Sequence, residues 1–241
     1  MNCDILGIKE QYQYPILPTG CEVTSVSMLL THLGIDICTK EYLADFITKE
    51  SDPSQLIGGN PFRSFVGSPY SKDSFGVYHG GISNLLQLLV SQESQLNSKY
   101  QVTDLTALTN NDSKYSIYLP QTRENIQNRL DYFESNNIEE NDDYRVLESH
   151  LTTEQIPIVI WMTIDLNRTP YISDEWLDEK DYTKTIYWIS PQHCALLSGY
   201  TDKEYIIYDP HTGKKELYPK HLFLKRWRQY GRQSVSLKKI K

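Results

Sequence analysis

The run Ile156–Thr163, read as IPIVIWMT, constrains this chain more than any other stretch. It is continuous, apolar and rich in β-branched residues, so it is a buried strand. His193–Tyr200 gives a second apolar strand and Glu204–Asp209 a third, joined by a hairpin. The helical signals precede these strands. Glu22–Leu33 places Val23, Val26, Leu29, Leu30 and Leu33 at 3–4 spacing, an amphipathic helix that Gly34 ends as an αL cap. Thr39 caps a second helix with Tyr42, Leu43, Phe46 and Ile47 on one face. Ile82–Val90 is a short apolar helix, Thr122 caps a helix through Phe133, and Tyr144–Leu151 is another. Pro219 opens a helix through Tyr230, and Ser234–Leu237 adds a last strand. Helices first and sheet later predict an α+β fold with segregated layers.

The 241 residues suit a single domain over 1–241, with insertions near 93–120, an irregular stretch, and 164–190, a loop rich in Tyr, Trp and Asp. Residues 50–80 read as a long ordered loop punctuated by Gly and Pro, of the kind that carries function. Charged residues are 23% and the net charge is −7, which argues against nucleic acid and anionic membranes as partners. No apolar run approaches the roughly 20 residues of a bilayer span. MNCDILGIKEQ has neither a basic nor an apolar segment of a signal peptide.

The four cysteines, Cys3, Cys21, Cys38 and Cys194, form no CxxC pair, so neither a zinc ribbon nor a disulfide framework is indicated. Cys21 stands out. In LPTGCEVTSVSMLL it falls between a Pro-Thr-Gly turn and an apolar helix. A helix N-terminus carries about half a positive charge and unpaired N–H groups, which favour a thiolate. Such a nucleophile needs a base, a group to orient the base, and oxyanion donors. Of six histidines, His193 heads a buried strand in SPQHCALLSGY, and Asp209 ends the next one in EYIIYDPHTG. In an antiparallel hairpin these two ends meet at one sheet edge. Side chains alternate along a strand, so a two-residue turn at Asp202-Lys203 would put Asp209 on the face of Cys194. An odd-length connection is therefore expected, with Gly199 at positive φ. Taken alone, Cys21 is a small buried residue at a helix start, His193 a satisfied sheet histidine, and Asp209 an Asp-Pro turn starter.

The blocks QYPILPTGCEVTSVSMLLTHLG, NPFRSFVGSPY, IPIVIW, HCALLSGY and YIIYDPHTG, in that order from about Gln13 to Val235, resemble the C-thirty-nine-like cysteine peptidases. These belong to the papain-like clan and are relatives of the bacteriocin-leader-processing peptidases. The resemblance implies a papain-like fold, with a helical N-terminal part packed on a C-terminal antiparallel sheet. It implies Cys21 as nucleophile, His193 as base and Asp209 as the residue that orients it. Gln13 would donate to the oxyanion, with Gln11 the lesser candidate and the Cys21 N–H the second donor. Cys194 follows His193 where such strands carry a small apolar residue. Relatives are often exported, which leans the location toward extracytoplasmic.

The activity expected is hydrolysis of a peptide or amide bond through an acyl-enzyme, with a peptide or protein as substrate and no cofactor or metal. Loops 58–80 and 164–190 would line the cleft, with Phe62, Phe65, Tyr70, Tyr78, Trp176 and Tyr187 as an aromatic wall. Three alternatives stand beside it. The same triad can pass the acyl group to an amine, as a transferase does. Cys21, His193, Asp209 and His211 could hold zinc, although zinc sites use close-spaced ligand pairs. A papain-like domain can also bind a partner without catalysis. Of the thiols, Cys21 is expected open to the cleft beside His193, Cys194 buried against the helices, and Cys3, near a terminus, exposed.

Overall fold

In the computed structural model, which describes residues 2–110, 115–135 and 142–240, the central apolar run is a strand, Ile158–Thr163, buried at every position. The first part of the chain holds β1 (Cys3–Asp4), α1 (Cys21–His32), α2 (Lys40–Phe46), β2 (Lys49–Glu50), β3 (Ile57–Gly58), β4 (Phe65–Val66), α3 (His79–Gln92), α4 (Ser94–Asn97), β5 (Tyr100–Asp104), α5 (Leu105–Thr109), α6 (Arg123–Ser135) and α7 (Arg145–Glu154). The second part holds β6 (Ile158–Thr163), β7 (Tyr171–Asp178), β8 (Asp181–Ser190), β9 (Gln192–Tyr200), β10 (Glu204–Asp209), β11 (Lys214–Pro219), α8 (Lys220–Gln229) and β12 (Ser234–Lys239). The fold is α+β. Its main sheet runs β11-β10-β9-β6-β12-β5, with β1 added to β9, and all its pairings are antiparallel.

Helix α1 packs against β9 and β6. It is not amphipathic as its spacing suggested, because every residue from Cys21 to Leu30 is buried. Its polar side chains are buried with partners, as burial demands. Thr24 Oγ1 donates to the Gly20 carbonyl (2.7 Å), Ser25 Oγ to the Cys194 carbonyl (3.4 Å) and Ser27 Oγ to the Cys38 carbonyl (2.9 Å). The helix ends as expected. Gly34 sits at φ +84°, its N–H bonds the Thr31 carbonyl and the Ile35 N–H bonds that of Leu30, a Schellman motif. Thr39 caps α2 by accepting the Tyr42 N–H (3.1 Å), and Thr122 caps α6 by accepting that of Asn125 (3.1 Å).

Three expectations about the chain are corrected. Residues 93–120 are not an irregular insertion; outside residues 111–114, which lie beyond those described, they supply α4, α5 and β5, which pairs with β12 along the sheet edge. Residues 164–190 are not a loop. From Tyr171 to Ser190 they form the hairpin β7–β8, which joins β3 in a separate three-stranded sheet. The strand β11 was not foreseen at all; it is half-exposed, and its Lys- and Glu-rich pattern carries little apolar alternation.

The β9–β10 connection also departs from expectation. Tyr205 pairs with Tyr200 and Ile206 with Gly199, the register of an even-length turn. The ladder then slips, so that Ile207 pairs with Leu197 and Ser198 is left over as a β-bulge. The bulge restores the parity that an odd turn would have supplied. Ser198 Oγ donates to the Ile206 carbonyl across it (3.2 Å). Gly199 does not take positive φ. Glycine is needed there because β1 runs alongside, and a Cβ would lie 2.3 Å from the Cys3 carbonyl oxygen.

Candidate active site

The bulge puts His193 and Asp209 on one face of the sheet, and His193 Nε2 lies 2.7 Å from Asp209 Oδ1. Both side chains are buried. Asp209 is held from three directions. Its Oδ1 also accepts the His211 N–H (2.7 Å), and its Oδ2 accepts the Tyr218 hydroxyl (2.6 Å) from β11. Burial works against its charge, but His193 and these donors outweigh that and keep its pKa well below the usual carboxylate range. With Nε2 taken up by Asp209, Nδ1 is the ring nitrogen His193 has left for chemistry.

Cys21 is the first residue of α1, with Gly20 as its N-cap. It is not open to a cleft, being only 5% exposed. Its thiol does not bond His193 either. It donates to Glu22 Oε2 at 3.3 Å. Burial, then the charge of Glu22, push the thiol pKa well above its ordinary value. Both oppose the thiolate expected at this position. The half-charge of the helix end works against burial first and the neighbouring Glu22 carboxyl second.

Glu22 is the residue the sequence did not single out. It is fully buried, and its Oε1 accepts the Val77 N–H (3.1 Å) and the Gln192 side-chain amide (3.0 Å). Burial raises its pKa against those donors. The segment that meets it is pressed close, since a Cβ on Gly76, at φ +151°, would fall 2.6 Å from Glu22 Oε1. An acid in the first turn of a helix ordinarily reads as a surface group favoured by the dipole, so only its place directly after Cys21 marked it.

Gln13 lies beside the histidine loop, its N–H bonding the Pro210 carbonyl (2.9 Å). Its side-chain amide does not offer a free donor. Nε2 donates to the carbonyls of Leu17 (3.3 Å) and Pro18 (3.0 Å), and the buried Oε1 has no partner among the described residues. Gln11 is further removed, donating to Ser27 Oγ (3.1 Å). Tyr14 links the two halves. Its hydroxyl pairs with His211 Nδ1 at 3.1 Å, and burial followed by Cys21, Tyr12 and Asp209 raises its pKa. Cys194 is fully buried toward α1, as expected of the residue after His193. Among the described residues no three His, Cys, Asp or Glu side chains converge as a metal-holding group. No helix among them is long and apolar enough to cross a membrane.

The expected aromatic wall is divided. Phe65, Tyr78 and Trp176 are core residues, with Trp176 Nε1 donating to the Gly59 carbonyl (2.7 Å). Tyr78 stacks on Trp188, ring centroids 5.1 Å apart. Tyr70 is exposed and bonds Asp45 Oδ1 (2.9 Å). Phe62 and Tyr187, together with Tyr78, line a separate cavity.

The model of the Peptidase_C39-like family matches residues 5–114 and 85–235. The chain is 26% identical over 230 residues to the uncharacterized protein YvpB of Bacillus subtilis (strain 168), covering 95% of this chain and 73% of that protein. Its fold is similar to the crystal structure of a candidate C39-like peptidase from Bacillus anthracis, with a TM-score of 0.64 and 22% identity over 100% of this chain and 98% of that one.

Proposed function

Because this chain belongs to the Peptidase_C39-like family, we propose that it is a cysteine peptidase of papain-like architecture in which Cys21 is the nucleophile, His193 the general base and acid, and Asp209 the residue that orients the imidazole. The observation that carries this reading is the buried 2.7 Å pair between His193 Nε2 and Asp209 Oδ1. A carboxylate fixed by Tyr218 and the His211 N–H selects the tautomer that leaves Nδ1 free to take a proton. Cys21 Sγ attacks the scissile carbonyl carbon and its proton passes to His193 Nδ1. The same nitrogen returns the proton to the leaving amine, and water then hydrolyses the thioester. The first N–H groups of a helix lack intrahelical partners, so the Cys21 N–H is the oxyanion donor at hand. Gln13 joins it only after its amide leaves the Leu17 and Pro18 carbonyls.

The arrangement described is a resting one. Catalysis requires the thiol to turn from Glu22 to His193, which exchanges a neighbour that opposes thiolate for one that accepts its proton. The test is a peptidyl vinyl sulfone probe with mass spectrometry, together with a pool of quenched fluorescent peptides. The expected results are an adduct on Cys21 and peptide cleavage that both Cys21→Ala and His193→Ala abolish. Cleavage that survives in Cys21→Ala would sink the proposal.

A further inference from the structure

A second site lies apart from the cysteine and histidine. Helix α6, the hairpin β7–β8 and the segment before α3 enclose a cavity of about 490 Å³, within the range that small-molecule sites occupy. None of Cys21, His193 or Asp209 lines it. Its walls are largely apolar, from Phe62, Tyr78, Ile126, Ile186 and Ile189. Gln121 and Gln233 add amides, and among the described residues no Asp or Glu lines it.

Arg129 is the unusual group in it. The residue is 2% exposed. Three neighbouring buried arginines have carboxylates: Arg226 pairs with Glu134, and Arg228 and Arg232 both pair with Asp143. Arg129 pairs with none among the described residues. Its Nε donates to the Gln229 carbonyl (3.1 Å) and its Nη1 to Gln121 Oε1 (3.4 Å), and among the described residues no partner takes Nη2. Gln121 is itself oriented by donating to the carbonyls of Ile117 (2.8 Å) and Leu119 (2.7 Å), which turns its oxygen to the guanidinium. Burial lowers the arginine pKa only to about 10, so the group stays charged at neutral pH. A buried cation without a counter-ion is costly, and the natural remedy is an anion.

We propose that this cavity is a binding site for a small amphipathic carboxylate, whose anionic head takes the open edge of Arg129 and whose aliphatic or aromatic body fills the apolar walls. The planar fork of arginine matches a carboxylate, and such charge-assisted bonds are strongest in a dry pocket. The site stands independently of the thiol chemistry.

Octanoate tests this, with 1-octanol as its neutral counterpart, by thermal unfolding and titration calorimetry on the full chain. A ligand that binds only the folded state raises the melting temperature with concentration. Octanoate should do so with a Kd of about 1 mM or tighter, and octanol should not. Arg129→Gln should weaken octanoate binding roughly tenfold or more while the ligand-free protein melts no lower, because an uncompensated charge has been removed. Should Arg129→Gln fail to fold, Ile186→Trp fills the cavity and keeps the arginine; loss of the octanoate response there supports the site and its retention overturns it. Equal responses to octanoate and octanol, an unchanged response in Arg129→Gln, or no response in the wild type would each overturn the proposal.

Discussion

His193 and Asp209 stand 2.7 Å apart although the turn between their strands has the parity that separates them. The one residue that reconciles the two facts is Ser198, bulged out of β9. Deleting Ser198 would close the ladder without a bulge and keep Tyr208 opposite Leu196, so Asp209 stays on the face of His193. Such a variant should keep its helical circular dichroism and, with any peptide the wild type cleaves, turnover within about tenfold of wild type. Complete loss of turnover would mean that Ser198 does more than set the parity of the pair.

Tyr218 fixes the outer oxygen of Asp209 from β11. Tyr218→Phe leaves that oxygen without its donor, which should cost about 1–3 kcal/mol in urea unfolding. Asp209 would also be less firmly charged, so the acid limb of the activity profile should move to higher pH. A profile with an unmoved limb would separate Tyr218 from the candidate site.

The Glu22 carboxylate opposes ionisation of Cys21. Glu22→Gln keeps an oxygen for the Val77 N–H and removes the charge. Alkylation of Cys21 by iodoacetamide near neutral pH should then speed up, by roughly tenfold for each unit the thiol pKa falls. In the wild type, half-buried Cys3 should be labelled ahead of Cys21, since the latter is enclosed and bonded. Peptide mapping of a limited reaction reports both, and equal Cys21 rates in the two proteins would show that Glu22 does not restrain the thiol.

Acid should unfold the protein through an ion cluster away from the site. Glu50 takes Arg63 at 2.5 Å and Lys180 at 2.7 Å, and Asp178 takes the same Arg63 at 2.5 Å. Burial works against the charge of Glu50, but Arg63, Lys180 and the Asn60 N–H hold its pKa down to about 2. A carboxylate with a lower pKa folded than unfolded adds stability above the unfolded value, near 4.3, and loses it as pH falls through the folded one. The melting temperature should therefore drop between about pH 4 and pH 2. Glu50→Gln should melt lower at neutral pH and flatten that part of the curve; an unchanged acid slope would assign acid sensitivity elsewhere.

Gly199→Ala places a methyl group against the Cys3 carbonyl. Overpacking of this kind costs about 1–3 kcal/mol, and here the lighter side yields. Strand β1 should detach, seen as lost amide protection at Ile5, whose N–H bonds the Ser198 carbonyl at 3.0 Å.

The strands β6, β9 and β10 and the caps of α1, α2 and α6 were legible because their signals are local: apolar runs, a Gly at the helix end, a Thr before the first turn. The hairpin β7–β8 was not, since Tyr171–Asp178 carries acids on its exposed positions and its apolar partners, Trp176 and Ile186, lie on different strands. The bulge was half legible. Alternation showed that parity had to be corrected between His193 and Asp209, but not whether the turn or the strand would do it. What the sequence concealed is the state of the thiol. Its surroundings come from Gly76, Val77 and Gln192, segments far apart in the chain, and only their convergence on Glu22 makes the setting of Cys21 one that opposes ionisation.

Strand β12 lies between β6 and β5, pairing Ser234 with Ile160 on one side and Val235 with Asp104 on the other. The position beside the β5 edge of the sheet is thus filled by a segment made after every other strand described. Until it arrives, β5 has no strand beside it and β6 keeps one bare edge, and such edges invite pairing with other chains. Closing contacts of this sequence separation is slow. The sheet is therefore completed only once β12 has been made, and a ribosome-bound chain stalled before Ser234 should hold its β9–β10–β11 meander while β5 remains unprotected.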